Sequence, residues 1–220
     1  MASIKETYDL LRTELRSAGA DLVAVSKTKS VAEIRELYDL GQRDFGENYV
    51  QELIRKQPEL PEDIRWHFIG HLQSNKVKLI AEKVQLIQSV DSLKLARAIH
   101  QQGQKSGKQI DCLLQVHIAI EESKFGWAPN ELEEALAEIS KGGYENIRIC
   151  GLMGMASFST DDELVRKEFQ QLRNVFETCK NRFGTSKPIL SMGMTADYKI
   201  ALEEGSTMVR IGSMLFGART

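Results

Sequence analysis

A chain of 220 residues with 29 Lys and Arg against 31 Asp and Glu carries a formal net charge of −2, which gives it no bulk attraction for nucleic acid or an anionic membrane. The length suits one sizeable core, and no apolar run approaches the roughly 20 residues needed to cross a bilayer. Cys112, Cys150 and Cys179 lie far apart with no Cys-x-x-Cys spacing, which points to reduced thiols in a cytoplasmic protein and away from a metal site.

The chain opens on a capped helix start and not on a signal peptide: Ser3 and Glu6 form a capping-box pattern, and Ile4, Tyr8, Leu11 and Leu15 make an apolar stripe ending near Gly19. Leu22–Val25 reads as a buried strand that stops at Ser26-Lys27. Ser30 and Glu33 then start a helix to about Leu40, with Gly41 just beyond its end. A short run at Arg43-Asp44-Phe45 leads through Gly46-Glu47-Asn48-Tyr49 into a helix expected to stop before Pro58. Trp66–Ile69 is the third strand, followed by a basic helix through Lys76 and Lys78. Gln85–Val90 is the fourth, with Asp91 as N-cap of a helix to about Gln102. Ile110–Ile118 is the fifth, and Asn130 with Glu133 suggests a capping box for a helix presenting Leu132, Ala135, Leu136 and Ile139. Ile147–Met153 is the sixth. The clearest helix comes next, Val165, Phe169, Leu172, Phe176, Cys179 and Phe183 stepping by four and three. Pro188–Ser191 is the seventh strand, a helix covers about Ala196 to Glu203, and Met208–Ile211 is the eighth. Strands alternating with helices in this way predict an α/β fold, a single (β/α)8 TIM-type barrel with an extra N-terminal helix, in one domain spanning 1–220; an open doubly wound sheet is the alternative.

In such a barrel all strand C-termini project to one face, and here they carry the polar and glycine residues: Lys27, Glu47-Asn48, Gly70-His71, Asp91, His117, Met153–Met155, Ser191–Thr195 and Arg210–Ser213. The last two segments suggest a phosphate cup, with Gly193 and Gly212 allowing close backbone approach and Ser191, Thr195 and Ser213 adding hydroxyls. Asp197 would repel phosphate unless it caps its own turn, and ordinary tight βα turns would look the same. Lys27 across the mouth suggests a phosphorylated aldehyde held as an imine, for which the amine must be neutral. Arg210 could favour that neutral form, or donate to the ring nitrogen of pyridoxal phosphate (PLP) and weaken the ring as an electron sink. A solvated surface lysine is the competing reading of Lys27, and Lys29, Lys76 and Lys78 are competing lysines. A Schiff-base aldolase, with Lys27 attacking substrate directly, also fits the residues. His67 and His71 lie four apart but are separated by a strand end and turn, which argues against a metal pair. His117 reads as a hydrogen-bonded mouth residue, and Gly151–Gly154 is too short for a dinucleotide loop.

Ala24–Lys29, Phe45–Glu52, Trp66–Gly70 with Leu72–Lys76, Gly151–Met153, Leu190–Met194 and Met208–Gly212 together resemble the pyridoxal phosphate homeostasis protein family over nearly the whole chain. The resemblance implies a barrel similar to the N-terminal domain of bacterial alanine racemases, with Lys27 carrying PLP as an internal aldimine. It implies the phosphate against Ser191, Gly193, Met194, Gly212 and Ser213, Arg210 near the ring nitrogen and Asn48 beside the ring. Lys124 occupies a familiar family position, with Phe125 where a small residue is expected. The implied function is carriage or buffering of PLP in vitamin B6 and amino-acid homeostasis without catalysis, as a cytoplasmic monomer whose partners are PLP and PLP-dependent apo-enzymes. The alternative is a PLP-dependent racemase-like enzyme. Alanine racemases draw a second base from a partner's C-terminal domain, for which the residues after the eighth strand leave no material.

Overall fold

The computed structural model describes residues 3–121 and 125–217. Eight parallel strands close into a barrel in sequence order: β1 (Asp21–Val25), β2 (Asp44–Glu47), β3 (Arg65–Phe68), β4 (Leu86–Val90), β5 (Ile110–Val116), β6 (Ile147–Gly154), β7 (Ile189–Met194) and β8 (Met208–Ile211). Closure is made by β1 against β8, in register from Asp21 opposite Met208 to Ala24 opposite Ile211. The open doubly wound alternative is thereby excluded.

The outer helices follow the apolar periodicity. α1 (Ile4–Ala18) carries the Ser3–Glu6 capping box and ends at Gly19 in the left-handed conformation; α2 (Val31–Asp39) carries the Ser30–Glu33 box. α7 (Asp162–Cys179) buries Val165, Phe169, Leu172, Phe176 and Cys179 against the barrel, each large side chain contributing about 1.5–3 kcal/mol. α3 (Val50–Lys56) stops before Pro58 as expected, and a 3-10 turn, Gln57–Glu59, follows it, where proline sits in the first turn and owes no N–H. The basic stretch forms only a 3-10 turn at Ser74–Lys76 and the single-turn α4 (Val77–Ile80). α5 (Leu93–Ser106) is capped by Ser92 and not by Asp91, because the Asp91 carboxylate is engaged by His71 and by the Ser92 hydroxyl. The Asn130–Glu133 box does not form. α6 (Leu132–Lys141) is preceded instead by a 3-10 turn, Pro129–Glu131, with Glu131 accepting from the Ala128 N–H. α8 (Tyr198–Glu203) and the four-residue α9 (Ser213–Phe216) complete the ring.

The main apolar core lies between strands and helices. A smaller cluster, Val23, Leu86, Leu113, Cys150, Met153 and Met208, is contributed by the inner faces of the strands. This interior is not wholly apolar. His67, Gln88, Ser191 and Arg210, one each from β3, β4, β7 and β8, are buried among it, where such barrels ordinarily hold branched aliphatic residues. In β6, Gly151 adopts φ +152°, and a Cβ there would fall 1.9 Å from Ile189 O; the β5–β6 register slips beside it, so this glycine is what permits the bulge.

Candidate functional site

At the C-terminal mouth the strand ends enclose a cavity of about 640 Å³, a size suited to a cofactor-like small molecule. Its walls come from four neighbouring strands of the barrel: Lys27, Thr28 and Lys29 after β1, Met155–Thr160 after β6, Met194–Asp197 from the end of β7 and beyond it, and Arg210, Gly212 and Ser213 from β8 and its turn. A smaller cleft of about 230 Å³ lies at the other mouth, under α1, among Arg12, Arg16, Arg43, Arg65, Asp21 and Asp44. Of the eight residues the sequence assigned to the site, Lys27, Met194, Arg210, Gly212 and Ser213 line the larger cavity. Ser191 is fully buried and turns into the barrel, where its hydroxyl donates to Gln88 and accepts from Arg210, so it reaches the cavity through Arg210. Gly193, at φ +96°, is pressed against α8: a Cβ would meet Ala201 Cβ at 2.6 Å. Asn48 stands just beyond β2, its Oδ1 out of reach of solvent and without a partner among the described residues. Lys124 lies outside the described residues, whereas Phe125 stacks on the His71 ring at 3.9 Å.

Lys27 stands on a clamped backbone. Thr28, next to it, holds φ +66°, a costly conformation for a β-branched residue, and its N–H donates to Glu52 Oε2 at 2.8 Å. Before it, the Ser26 hydroxyl donates to Glu47 Oε1 at 2.6 Å. Lys56, almost fully buried on α3, joins the two sides by donating to Ser26 O, Glu47 Oε1 and Glu52 Oε2 at 2.9, 2.8 and 2.7 Å. Burial pushes the Glu47 carboxyl above the usual range despite Lys56 and Ser26. For Glu52, burial is outweighed by the hydrogen bonds from Lys56 and Thr28, which hold it below.

Arg210 is buried, and its hydrogen bonds go to neutral oxygens: Nη1 to Ser191 O at 2.9 Å and Ser191 Oγ at 2.7 Å, Nη2 to Gly154 O at 2.9 Å. Desolvation pulls its pKa down to about 10, and Asp197 opposes this by charge; the guanidinium is cationic at neutral pH. Asp197 caps its own turn, accepting the Met194 N–H at 2.6 Å, which withdraws that donor from the phosphate cup. α8, expected from about Ala196, starts only at Tyr198, so its N-terminal end adds little at Thr195.

The histidines separate. His67 points into the barrel, toward Gln88 and Asp44, whereas His71 pairs with Asp91 at the mouth. His117 donates to Glu121 O at 2.9 Å, as a hydrogen-bonded mouth residue. Sequence reasoning missed Lys56, Glu52 and Gln88. The first two carried a signal, an i,i+4 Glu–Lys pair on the helix after the second strand, and Gln88-Ser89 stood out as a polar step inside the apolar run Leu86–Val90.

A closed β/α barrel whose C-terminal mouth brings a lysine and a buried arginine from neighbouring strands onto one cavity defines the class to which the alanine racemase N-terminal domain model belongs, and that model matches residues 1–220. Among sequences, the pyridoxal phosphate homeostasis protein of Pseudomonas aeruginosa is 42% identical over 215 residues, covering 95% of this chain and 91% of its own. That of Aquifex aeolicus is 40% identical over 201 residues, covering 91% and 87%. Among structures, PipY of Synechococcus elongatus, solved with PLP bound, is 36% identical with a TM-score of 0.87, covering 98% of this chain and 100% of its own. The chain belongs to the pyridoxal phosphate homeostasis protein family.

Proposed function

We propose that this protein binds PLP covalently through Lys27 Nζ and carries or buffers it, serving vitamin B6 and amino-acid homeostasis without catalysis of its own. The single observation that supports this most is that Lys27 and Arg210 line one cavity, with Arg210 buried and hydrogen-bonded to neutral oxygens. The residues present fit the group: the volume suits a pyridine ring with its phosphate, cationic Arg210 answers the ligand's charge or ring nitrogen, and Gly212-Ser213 offers a turn a phosphate can approach. The names of the relatives and the PLP bound to PipY support the ligand and the homeostatic role.

Bound there, PLP supplies an aldehyde that an amine can hold reversibly. Lys27 is the amine; the Lys56 cluster fixes the backbone on either side of it. Arg210 would hold the ring nitrogen as an acceptor, a state that weakens the ring as an electron sink and so favours storage over carbanion chemistry. Gly212 and Ser213 would hold the phosphate, with Gly193 and Met194 shaping the facing wall, Ser191 steadying Arg210 and Asn48 beside the ring. Among the described residues no helix is long and apolar enough to cross a membrane. The three unpaired, buried thiols suit a reducing, cytoplasmic compartment. Residues 1–220 act as one domain, a monomer that yields PLP to apo-enzymes.

Absorption spectroscopy of purified protein incubated with PLP tests the reading. A band that Lys27→Ala abolishes is expected, and a colourless wild type would sink it. Cα deuterium exchange of L-alanine is expected to be absent; rapid exchange dependent on Lys27 would overturn the non-catalytic part.

A further inference from the structure

A continuous hydrogen-bonded chain crosses the barrel from Arg210 at the C-terminal mouth to Asp44 at the N-terminal one. Arg210 Nη1 lies 2.7 Å from Ser191 Oγ, Ser191 Oγ 2.7 Å from Gln88 Oε1, Gln88 Nε2 3.0 Å from His67 Nδ1, and His67 Nε2 3.2 Å from Asp44 Oδ1. Elementary chemistry fixes its direction. Arginine has no acceptor, so the Ser191 oxygen receives from Arg210 and its proton goes to the Gln88 carbonyl. The Gln88 amide therefore faces His67 and donates to Nδ1, its second proton reaching Met208 Sδ at 3.3 Å. With Nδ1 accepting, the neutral ring carries its proton on Nε2 and donates it to Asp44. Arg65 grips both oxygens of that carboxylate, Nε sharing Oδ1 with His67 at 2.7 Å and Nη2 reaching Oδ2 at 2.5 Å. Each donor thus points from the buried cation to the carboxylate. Ser191 and Gln88 are fully buried, so water cannot replace a missing link.

We propose that Gln88 and His67 are positioning residues for Arg210: they fix the Ser191 hydroxyl, and through it the angle at which the guanidinium faces the cavity. Neither lines the cavity. The inference rests on the PLP reading for what Arg210 meets, and not for the chain itself. It also makes the two mouths one electrostatic unit, since Asp44 fixes the His67 tautomer that in turn orients Gln88.

Two measurements test this. In the unliganded protein, side-chain 1H–15N NMR of the four histidines is expected to show His67 with a proton on Nε2, protected from exchange, and an unprotonated Nδ1. An Nδ1–H tautomer would overturn the chain whether or not PLP binds. In the PLP-loaded protein, Gln88→Leu is expected to speed PLP release about tenfold and move the absorption band, one lost link of ordinary strength. Gln88→Glu keeps an acceptor for Ser191, so release is expected within about twofold of wild type. A role in packing alone gives the reverse order, because leucine suits an apolar barrel interior better than a buried carboxylate does; that order would overturn the proposal. Gln88→Met replaces Gln88→Leu if the latter does not fold. A wild type that never takes up PLP defeats the functional reading and leaves the His67 tautomer to decide the chain.

Discussion

The two mouths of the barrel are charged in opposite styles. At the N-terminal mouth, arginines meet carboxylates from the adjacent strand in register: Arg65 on β3 grips Asp44 on β2, and Arg148 on β6 grips Asp111 on β5, each through two hydrogen bonds. Arg43 adds a pair with Asp63. At the C-terminal mouth Arg210 is surrounded by neutral oxygens, and the lysine–glutamate cluster of Lys56, Glu47 and Glu52 is sunk beneath the wall that carries Lys27. One end pairs charges across neighbouring strands; the other keeps a cation facing a cavity. Charge serves stability where partners sit on neighbouring strands, and binding where the partner must come from outside.

The sharpest way to break this contrast is Lys56→Met. It strands Glu47 in a buried site and is expected to cost about 3–5 kcal/mol in urea unfolding at neutral pH. Because burial already raises the Glu47 carboxyl, its neutral form is within reach once Lys56 is gone. A raised carboxyl stabilises the fold below its unfolded value and loses that contribution as pH rises through the folded one, so the deficit should shrink toward about pH 5. A deficit independent of pH would count against the buried pair as its cause.

Arg210→Leu comes next. Removing a charged donor from the cavity is expected to weaken PLP retention about ten- to hundredfold, read by dialysis against a PLP-free buffer. Unchanged retention would place the ligand away from Arg210. The N-terminal mouth should respond differently. Burial pushes Asp44 up, but the hydrogen bonds from His67 and Arg65 outweigh it and hold the carboxyl below its usual 3.8. Its contribution is therefore complete above that value and is lost as pH falls through the lower folded one. The wild-type urea midpoint should accordingly fall more steeply than that of Asp44→Asn only below about pH 4. Smallest of all, Arg148→Gln removes a half-exposed pair and should cost under about 1 kcal/mol, with PLP retention unaltered.

Most of the barrel was legible because its signals are local. Apolar runs ended by turn residues marked the strands other than β2, which showed only as the short run Arg43-Asp44-Phe45, and the capping boxes at Ser3 and Ser30 and the stripe on α7 follow from spacings within one or two turns. The errors are local too. Asp91 and Ser92 are both able caps, and the choice was made by His71, which is far away in sequence. α9, at four residues, is too short to show a period. In the site, strand ends identified Lys27 and Arg210, but a strand end does not say which way a side chain turns. Ser191 turned inward, and Gly193 met α8. The interior chain was invisible for a different reason. Ser191 and Gln88 are 103 positions apart and become neighbours only when the barrel closes.

Lys29 donates to Phe216 O, 187 positions away, two residues after Lys27 and just beyond the turn that carries Ser213. The β1 and β8 sides of the ligand cavity thus join the opening and final stretches of the sequence. On the ribosome, Lys27 emerges long before Arg210 has been made, and contacts of such high sequence separation form late. Uptake of ligand by a nascent chain would therefore time-stamp the moment when β8 docks beside β1, and PLP itself becomes the colour indicator for the last step of folding.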